Sequence, residues 1–277
     1  MEISVILEEA NKVVKLLQKL KEVKAITLFG SLARGYVDEF THDFDMVAFA
    51  KEIPEESKRK DVLNKVVKNW RFYNTRLIQD AFDLNSLTGC TIHWVKIKDV
   101  EEWINDFKEG LKPYPRLVPH PWLIDFVVYG KILYDPLKLI EKWKEEFKEY
   151  PEWLKRNECS LLNEVFRFTR SKFIERELKR NNLIFLENKF SQVKNMIIRV
   201  VYALNEVYWC MTAEKWFFKE AKSFKLLPEN FIERMEELSK LSILEWEKKR
   251  DIIDELANEI FEQVKKILPD LKIRNEW

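Results

Sequence analysis

The feature that most constrains this 277-residue chain is the place where its strand-like runs stop. Short apolar runs bounded by turn residues recur as far as "KILYD", residues 131–135, and none follows Pro136. The first half alternates strand and helix patterns, whereas the second half carries only the helical period. That contrast predicts an α/β (α+β) fold class: a small mixed sheet with flanking helices, followed by an all-α helical bundle. The expected division is residues 1–140 and 141–277, with the boundary between residues 136 and 155. Hydrophobic residues make up 46% of the chain, enough to give each half a core.

Along the first half, Ile6, Leu7, Ala10, Val13, Val14, Leu17 and Leu20 recur at helical spacing over residues 4–20. "AITLF" (25–29) predicts a buried strand ended by Gly30-Ser31, with a helix starting just afterwards, and "FDMVAFA" (44–50) predicts a second strand. Residues 55–72 look helical, and "TIHWVKI" (91–97) is β-rich. Asp99 with Glu102 forms a capping box for a helix through Phe107. Residues 121–130 are a short helix or an extended segment stopped at Gly130. Asp135-Pro136 predicts an N-cap with proline at the first helical position. Later helices should break near Pro151, Asn181-Asn182, Met211-Thr212 and Pro228.

Charge and cysteine content exclude several classes. Forty-eight basic residues against 47 acidic ones leave a net charge of +1, so no global field draws the chain to nucleic acid or membrane. A local patch remains open: "RFTRSKFIERELKR" (167–180) is basic and amphipathic, either a solvated helix face or a surface for RNA or an acidic partner. Cys90, Cys159 and Cys210 are odd in number and widely spaced, which predicts packed, reduced thiols in a cytoplasmic protein. No signal-peptide core and no membrane-length apolar run is present. Abundant Lys and Glu beside four Gln and five Gly tilt the composition toward a thermophile.

The stretch "LFGSLARGYVDEFTHDFDMVAF" (28–49) holds two of those five glycines. Glycine at a strand-to-helix turn lets a phosphate approach the backbone, and a helix start presents unpaired N–H groups to an anion. Ser31 adds a hydroxyl. Asp43 and Asp45, two apart on a strand, should project from one face while Phe44 and Met46 enter a core. Two neighbouring carboxylates raise each other's cost of ionisation, and a divalent cation relieves it; hard oxygen ligands suit Mg²⁺. A Gly-Ser turn or an Asp-x-Asp alone is a common turn or solvated strand end. Their ordered combination is the specific signal, and it points to binding an NTP with Mg²⁺ and transferring a nucleotidyl group.

"FGSLARGY…HDFDMVAF" resembles the signature of the polymerase-β-type nucleotidyltransferase superfamily. "ALNEVYWCMTAEKWFF" (203–218) is similar to a segment of a bacterial and archaeal branch that pairs the catalytic fold with a C-terminal helical domain. "GKILYDP" (130–136) is similar to the strand that often closes the catalytic domain. The resemblance implies that Gly30 and Ser31 seat the nucleotide phosphates, that Asp43 and Asp45 bind metal, and that Lys215 neutralises the β- and γ-phosphates. Arg34 would support the loop or a phosphate. The superfamily's third carboxylate has no counterpart here, because no Asp or Glu lies between Asp83 and Asp99. His93 aligns with that position, either as a metal ligand through a ring nitrogen or as a hydrogen-bonded core residue. Lys215 is equally a solvated helix lysine, and Tyr202, Asn205, Tyr208 and Trp209 either stack a base or pack the helix core.

The expected activity is Mg²⁺-dependent transfer of an NMP from an NTP to a small-molecule or protein acceptor, with nucleic acid disfavoured by the balanced charge. Two other readings stay open: a degenerate, non-catalytic nucleotide-binding or regulatory protein, and a partner in a toxin–antitoxin pair. The ribonuclease-like activity of helical toxin partners, which needs an Arg followed closely by His, is not expected, since no histidine follows His120.

Overall fold

The computed structural model describes residues 3–74, 77–85, 87–110, 121–210 and 212–277. Two compact units divide the chain: Met1–Glu149 with Cys210–Thr212, and Tyr150–Trp209 with Ala213–Trp277. The first contains α1 (Ile3–Leu17), β1 (Val23–Phe29), α2 (Gly30–Ala33), β2 (Asp45–Ala50), α3 (Glu56–Leu63), β3 (Lys68–Asn74), β4 (Ile78–Leu84) and β5 (Leu87–Lys96). It continues with α4 (Ile97–Lys108), α5 (Pro121–Leu123) running into a π-helical turn (Ile124–Val128), β6 (Lys131–Tyr134) and α6 (Leu139–Glu145). The six strands form one sheet in the order β3-β4-β5-β2-β1-β6. The β2–β5 pair is parallel and the others are antiparallel.

Register sorts the side chains onto two faces. Leu28, Met46 and Ile92 lie beside one another across β1, β2 and β5 and join a buried core with Ile6, Val13 and Leu17 of α1. On the opposite face the pairing aligns Phe29, Asp45 and Thr91, then Thr27, Val47 and His93. The π-helical turn covers part of that face: the Thr27 hydroxyl donates to the Phe126 carbonyl at 2.9 Å. The chain leaves the turn through Gly130, where a Cβ would stand 2.1 Å from the Phe126 carbonyl oxygen, so any side chain there would force the turn off the sheet.

The second unit is helical: α7 (Glu152–Cys159), α8 (Leu162–Arg170), α9 (Phe173–Lys179), α10 (Leu183–Leu204), α11 (Ala213–Glu220), α12 (Phe231–Lys240) and α13 (Trp246–Ile267). α10 runs through its middle and buries Phe190, Val193, Ile197, Val200 and Val201. Arg199 on α10 reaches both oxygens of Glu158 on α7 at 2.7 Å, a paired geometry that fixes one helix on the other.

The structure corrects the expectation for residues 55–72. The helix ends at Leu63, and residues 68–74 form β3, an edge strand paired with β4. Trp70 and Phe72 alternate along it with stacked rings 6.4 Å apart, and Lys60 and Arg59 of α3 lie over them. Pairing with β4 overrides a local helical pattern. α4 starts two residues before Asp99, with Lys96 at its cap and no side-chain capping bond. Asp135 does cap a helix, but one beginning at Leu139: its carboxylate accepts the amides of Leu139 and Ile140 at 2.8 and 2.7 Å. Cys90, Cys159 and Cys210 are buried free thiols. Of the expected breaks, Met211 lies outside the described residues.

Candidate functional site

The end of β1 brings Phe29 opposite Asp45, the first residue of β2. The next residue, Gly30, turns the chain with φ at 72°, a conformation that favours glycine, and opens the single turn of α2. A Cβ on Gly30 would stand 3.3 Å from Asp45 Oδ2. The turn glycine and the carboxylate therefore face each other directly, with room between them only because position 30 lacks a side chain.

Asp45 is half-buried and fixed from the other side. Thr91 sits opposite it on β5, and the Thr91 hydroxyl donates to Asp45 Oδ1. Asp43 does not lie on the strand, which starts at Asp45. The preceding loop nonetheless runs beside β5, since the Thr91 amide donates to the Phe44 carbonyl at 3.0 Å and that of Thr88 to the His42 carbonyl at 3.1 Å. Extended pairing thus begins before β2 proper. Both carboxylates act on the Cys90 thiol, which burial first, and then their charge, pushes up to about 12.

Arg34 follows α2 and is turned onto protein groups. Its guanidinium carbon lies 3.9 Å from the Tyr129 ring centroid, and Nη1 donates to Cys210 Sγ at 3.1 Å. Nearby, Thr212 Oγ1 donates to Asp125 Oδ1 at 2.8 Å, while Asp125 Oδ2 is buried without a hydrogen-bond partner. Burial raises the Asp125 carboxyl above the usual carboxylate range. This polar knot behind the glycine turn escaped sequence reasoning. Its one visible signal was an aspartate inside the apolar run "PWLIDFVVYG".

His93 occupies a different setting from the aspartates. Its ring stands among Phe29, Trp122 and Phe126, with centroids 5.2, 5.4 and 5.6 Å away. Burial pushes it down to about 4, and Nδ1 has no hydrogen-bond partner. It is a neutral imidazole in an aromatic cage at pH 7. Among the described residues no group of three His, Cys, Asp or Glu side chains is arranged to hold a metal ion, so His93 is not brought to the two aspartates as a third donor. Thr91, one step nearer on the same face, meets Asp45.

Lys215 stands exposed on α11 in the second unit, its ammonium 5.3 Å from the Trp216 ring. The aromatic-rich segment before it packs the helices. The Tyr202 hydroxyl donates to buried Glu220 at 2.6 Å, the Asn205 side chain holds the backbone at Lys225 and Leu226, and Tyr208 lies 4.9 Å from Tyr150. Trp209 lies beneath the Arg199 guanidinium. No helix of the described residues is long and apolar enough to cross a membrane.

Residues 10–113 match the model of a nucleotidyltransferase domain, and residues 116–217 match a domain of unknown function, DUF4037. No curated protein matches the chain. Among solved structures it is similar to a nucleotidyltransferase-like protein from Exiguobacterium sibiricum, at 11% identity and a TM-score of 0.39, over 94% of this chain and 74% of that one. An aminoglycoside 6-adenyltransferase from Bacillus subtilis is similar at 12% identity and a TM-score of 0.38, over 97% and 92% of the two chains. Spectinomycin adenyltransferase AAD(9) from Enterococcus faecialis, solved with ATP and spectinomycin, is similar at 14% identity and a TM-score of 0.37, over 92% and 98%. At such scores no residue correspondence follows from these structures.

Proposed function

We propose, from the premise that residues 10–113 of this chain are a nucleotidyltransferase domain, that the protein transfers a nucleoside monophosphate from an NTP to a hydroxyl or phosphate of a small-molecule or protein acceptor. The observation that carries this reading is the direct apposition of Gly30 and Asp45: the turn able to admit a phosphate opens onto a carboxylate, and a Cβ would stand 3.3 Å from it. In this reading Gly30 and Ser31 seat the phosphates, using first-turn amides that lack helical partners. Thr91 orients Asp45 through its hydroxyl. Arg34, held by Tyr129 and Cys210, stiffens the loop from behind.

Two carboxylates with hard oxygen donors fit a divalent cation such as Mg²⁺, with Asp43 and Asp45 as its holders and substrate phosphate and water as the other donors. When bound, the cation would supply charge stabilisation at the α-phosphorus and the leaving pyrophosphate. The non-catalytic alternative is favoured by one observation: no third carboxylate or imidazole joins the pair among the described residues. Incubation with each α-phosphate-labelled NTP, with and without Mg²⁺, separates the two. Release of pyrophosphate that requires Mg²⁺ and Asp45 supports transfer, whereas nucleotide binding without release supports a binding protein.

A further inference from the structure

The helical unit carries two adjoining cavities. One, of about 310 Å³, is lined by the apolar Phe168, Phe173, Phe185, Val193 and Met196 and by the polar or charged Glu164, Arg167, Ser171, Lys189 and Gln192. The other is a wider cleft of about 1140 Å³ that shares Arg167, Ser171 and Phe173 with the first. Its remaining wall is mostly basic, with Lys172, Arg176, Lys179 and Arg180 against a single acid, Glu175, and Trp277 beside them. A pocket with three aromatic rings in its wall thus adjoins a cationic cleft, in a chain whose net charge is +1.

The cations are not equally available. Arg176 and Arg180 both reach Glu177, at 2.8 and 3.3 Å, and Arg167 pairs with Glu164 at 2.9 Å. Lys172 and Lys179 make no ion pair among the described residues. Lys172, Arg176 and Lys179 follow a four-then-three spacing and so lie along one face, over roughly 10 Å of helix rise. That length exceeds what one phosphate group needs. The aromatics are similarly poised: Phe185 is 44% exposed beside Ile184 at 84%, and the Phe173 and Phe185 rings stand 6.0 Å apart. Phe173, which lines both cavities, links the exposed Phe185 ring to the lysine-lined cleft, an arrangement that a solvated helix face does not require.

We propose that this composite site binds a single strand of nucleic acid, one base entering the Phe173–Phe185 pocket and successive phosphates lying along Lys172, Arg176 and Lys179. The row of cations selects a strand over a free nucleotide, and the aromatic pocket selects a polyanion that carries rings. The site belongs wholly to the helical unit and does not depend on the activity proposed for the first.

The test is fluorescence anisotropy of a labelled twelve-nucleotide single strand against the full chain, in EDTA, across a salt series. Two to three neutralised phosphates predict a log–log salt slope of about −1.4 to −2. Lys172→Glu with Lys179→Glu should weaken binding by at least about tenfold, and Phe185→Ala by a few-fold, with melting temperatures unchanged. Asp43→Asn should leave binding as it is. The proposal is overturned by failure of the strand to bind, by binding indifferent to the lysine pair, by loss of binding in Asp43→Asn, or by equal affinity for polyglutamate or free ATP.

Discussion

Asp80 and Asp45 stand on neighbouring parts of one sheet and face opposite ways. Asp80, on β4, is fully buried on the α3 side, and every oxygen is used. Arg59 donates to both at 2.9 and 3.2 Å, and Trp94 Nε1 adds a bond at 2.8 Å. Arg59 is itself completed by the Pro54 carbonyl at 2.6 Å. Asp45, half-buried on the other side, accepts a threonine hydroxyl and stands opposite a glycine. A carboxylate enclosed by a guanidinium and an indole holds α3 on the sheet. One bonded to a threonine and set opposite a positive-φ glycine is the one we propose serves a ligand. Burial alone does not separate a carboxylate that holds the fold from one proposed to serve a site.

That contrast is broken most severely at Asp80. Asp80→Ala strands the Arg59 charge in the core and should cost about 3–5 kcal/mol, a large fall in the melting temperature. Arg59→Met combined with Asp80→Leu removes both charges and should cost less than either single change, as chemical denaturation would measure. If Asp80→Ala left stability untouched, the distinction between the two carboxylates would fail.

His93 sharpens the comparison through pH. Its folded pKa of about 4 lies below the ordinary 6.5, so the neutral form contributes stability that is complete above pH 6.5. As pH falls from 6.5 toward 4 the unfolded chain takes up a proton that the folded one refuses, and on the order of 3 kcal/mol is lost. His93→Phe should remove that part of the slope; denaturation at pH 7 and pH 4 for both proteins checks the difference. A metal-binding His93 would instead tie Mg²⁺ affinity to the same substitution.

A smaller effect is expected at Gly30. Gly30→Ala puts a Cβ at a φ of 72° and 3.3 Å from Asp45 Oδ2, and should cost about 1 kcal/mol in stability. Nucleotide affinity should fall by more than that strain alone, because the added methyl fills the space before the carboxylate.

The half of the first unit nearest the site was legible in the sequence because its residues follow local rules. β1 and β2 are apolar runs bounded by Gly30 and by Asp43-Asp45, and β5 showed itself through the β-rich residues 91–97. The apposition of Gly30 and Asp45 follows from one antiparallel pairing between nearby strands. What stayed hidden depends on distant partners. β4 contains a buried aspartate that makes sense only with Arg59 in place, and β3 carries the polar pattern of an edge. Arg34 is held by Cys210, 176 positions away, a contact without any local signature. Asp43 was expected on the strand with Asp45 and instead lies in the loop before it, since regular β2 pairing begins at the Phe29–Asp45 register.

The central claim, that Asp43 and Asp45 serve a ligand whereas Asp80 serves the fold, is tested most directly by titration calorimetry with each NTP, with and without Mg²⁺, on wild type, Asp43→Asn and Asp45→Asn. The account predicts Mg²⁺-dependent binding in wild type, its loss in both variants, and apo melting temperatures that hold or rise as mutual repulsion is relieved. Variants that bind Mg²⁺-NTP as tightly as wild type, or that unfold as an Asp80 substitution should, would contradict it.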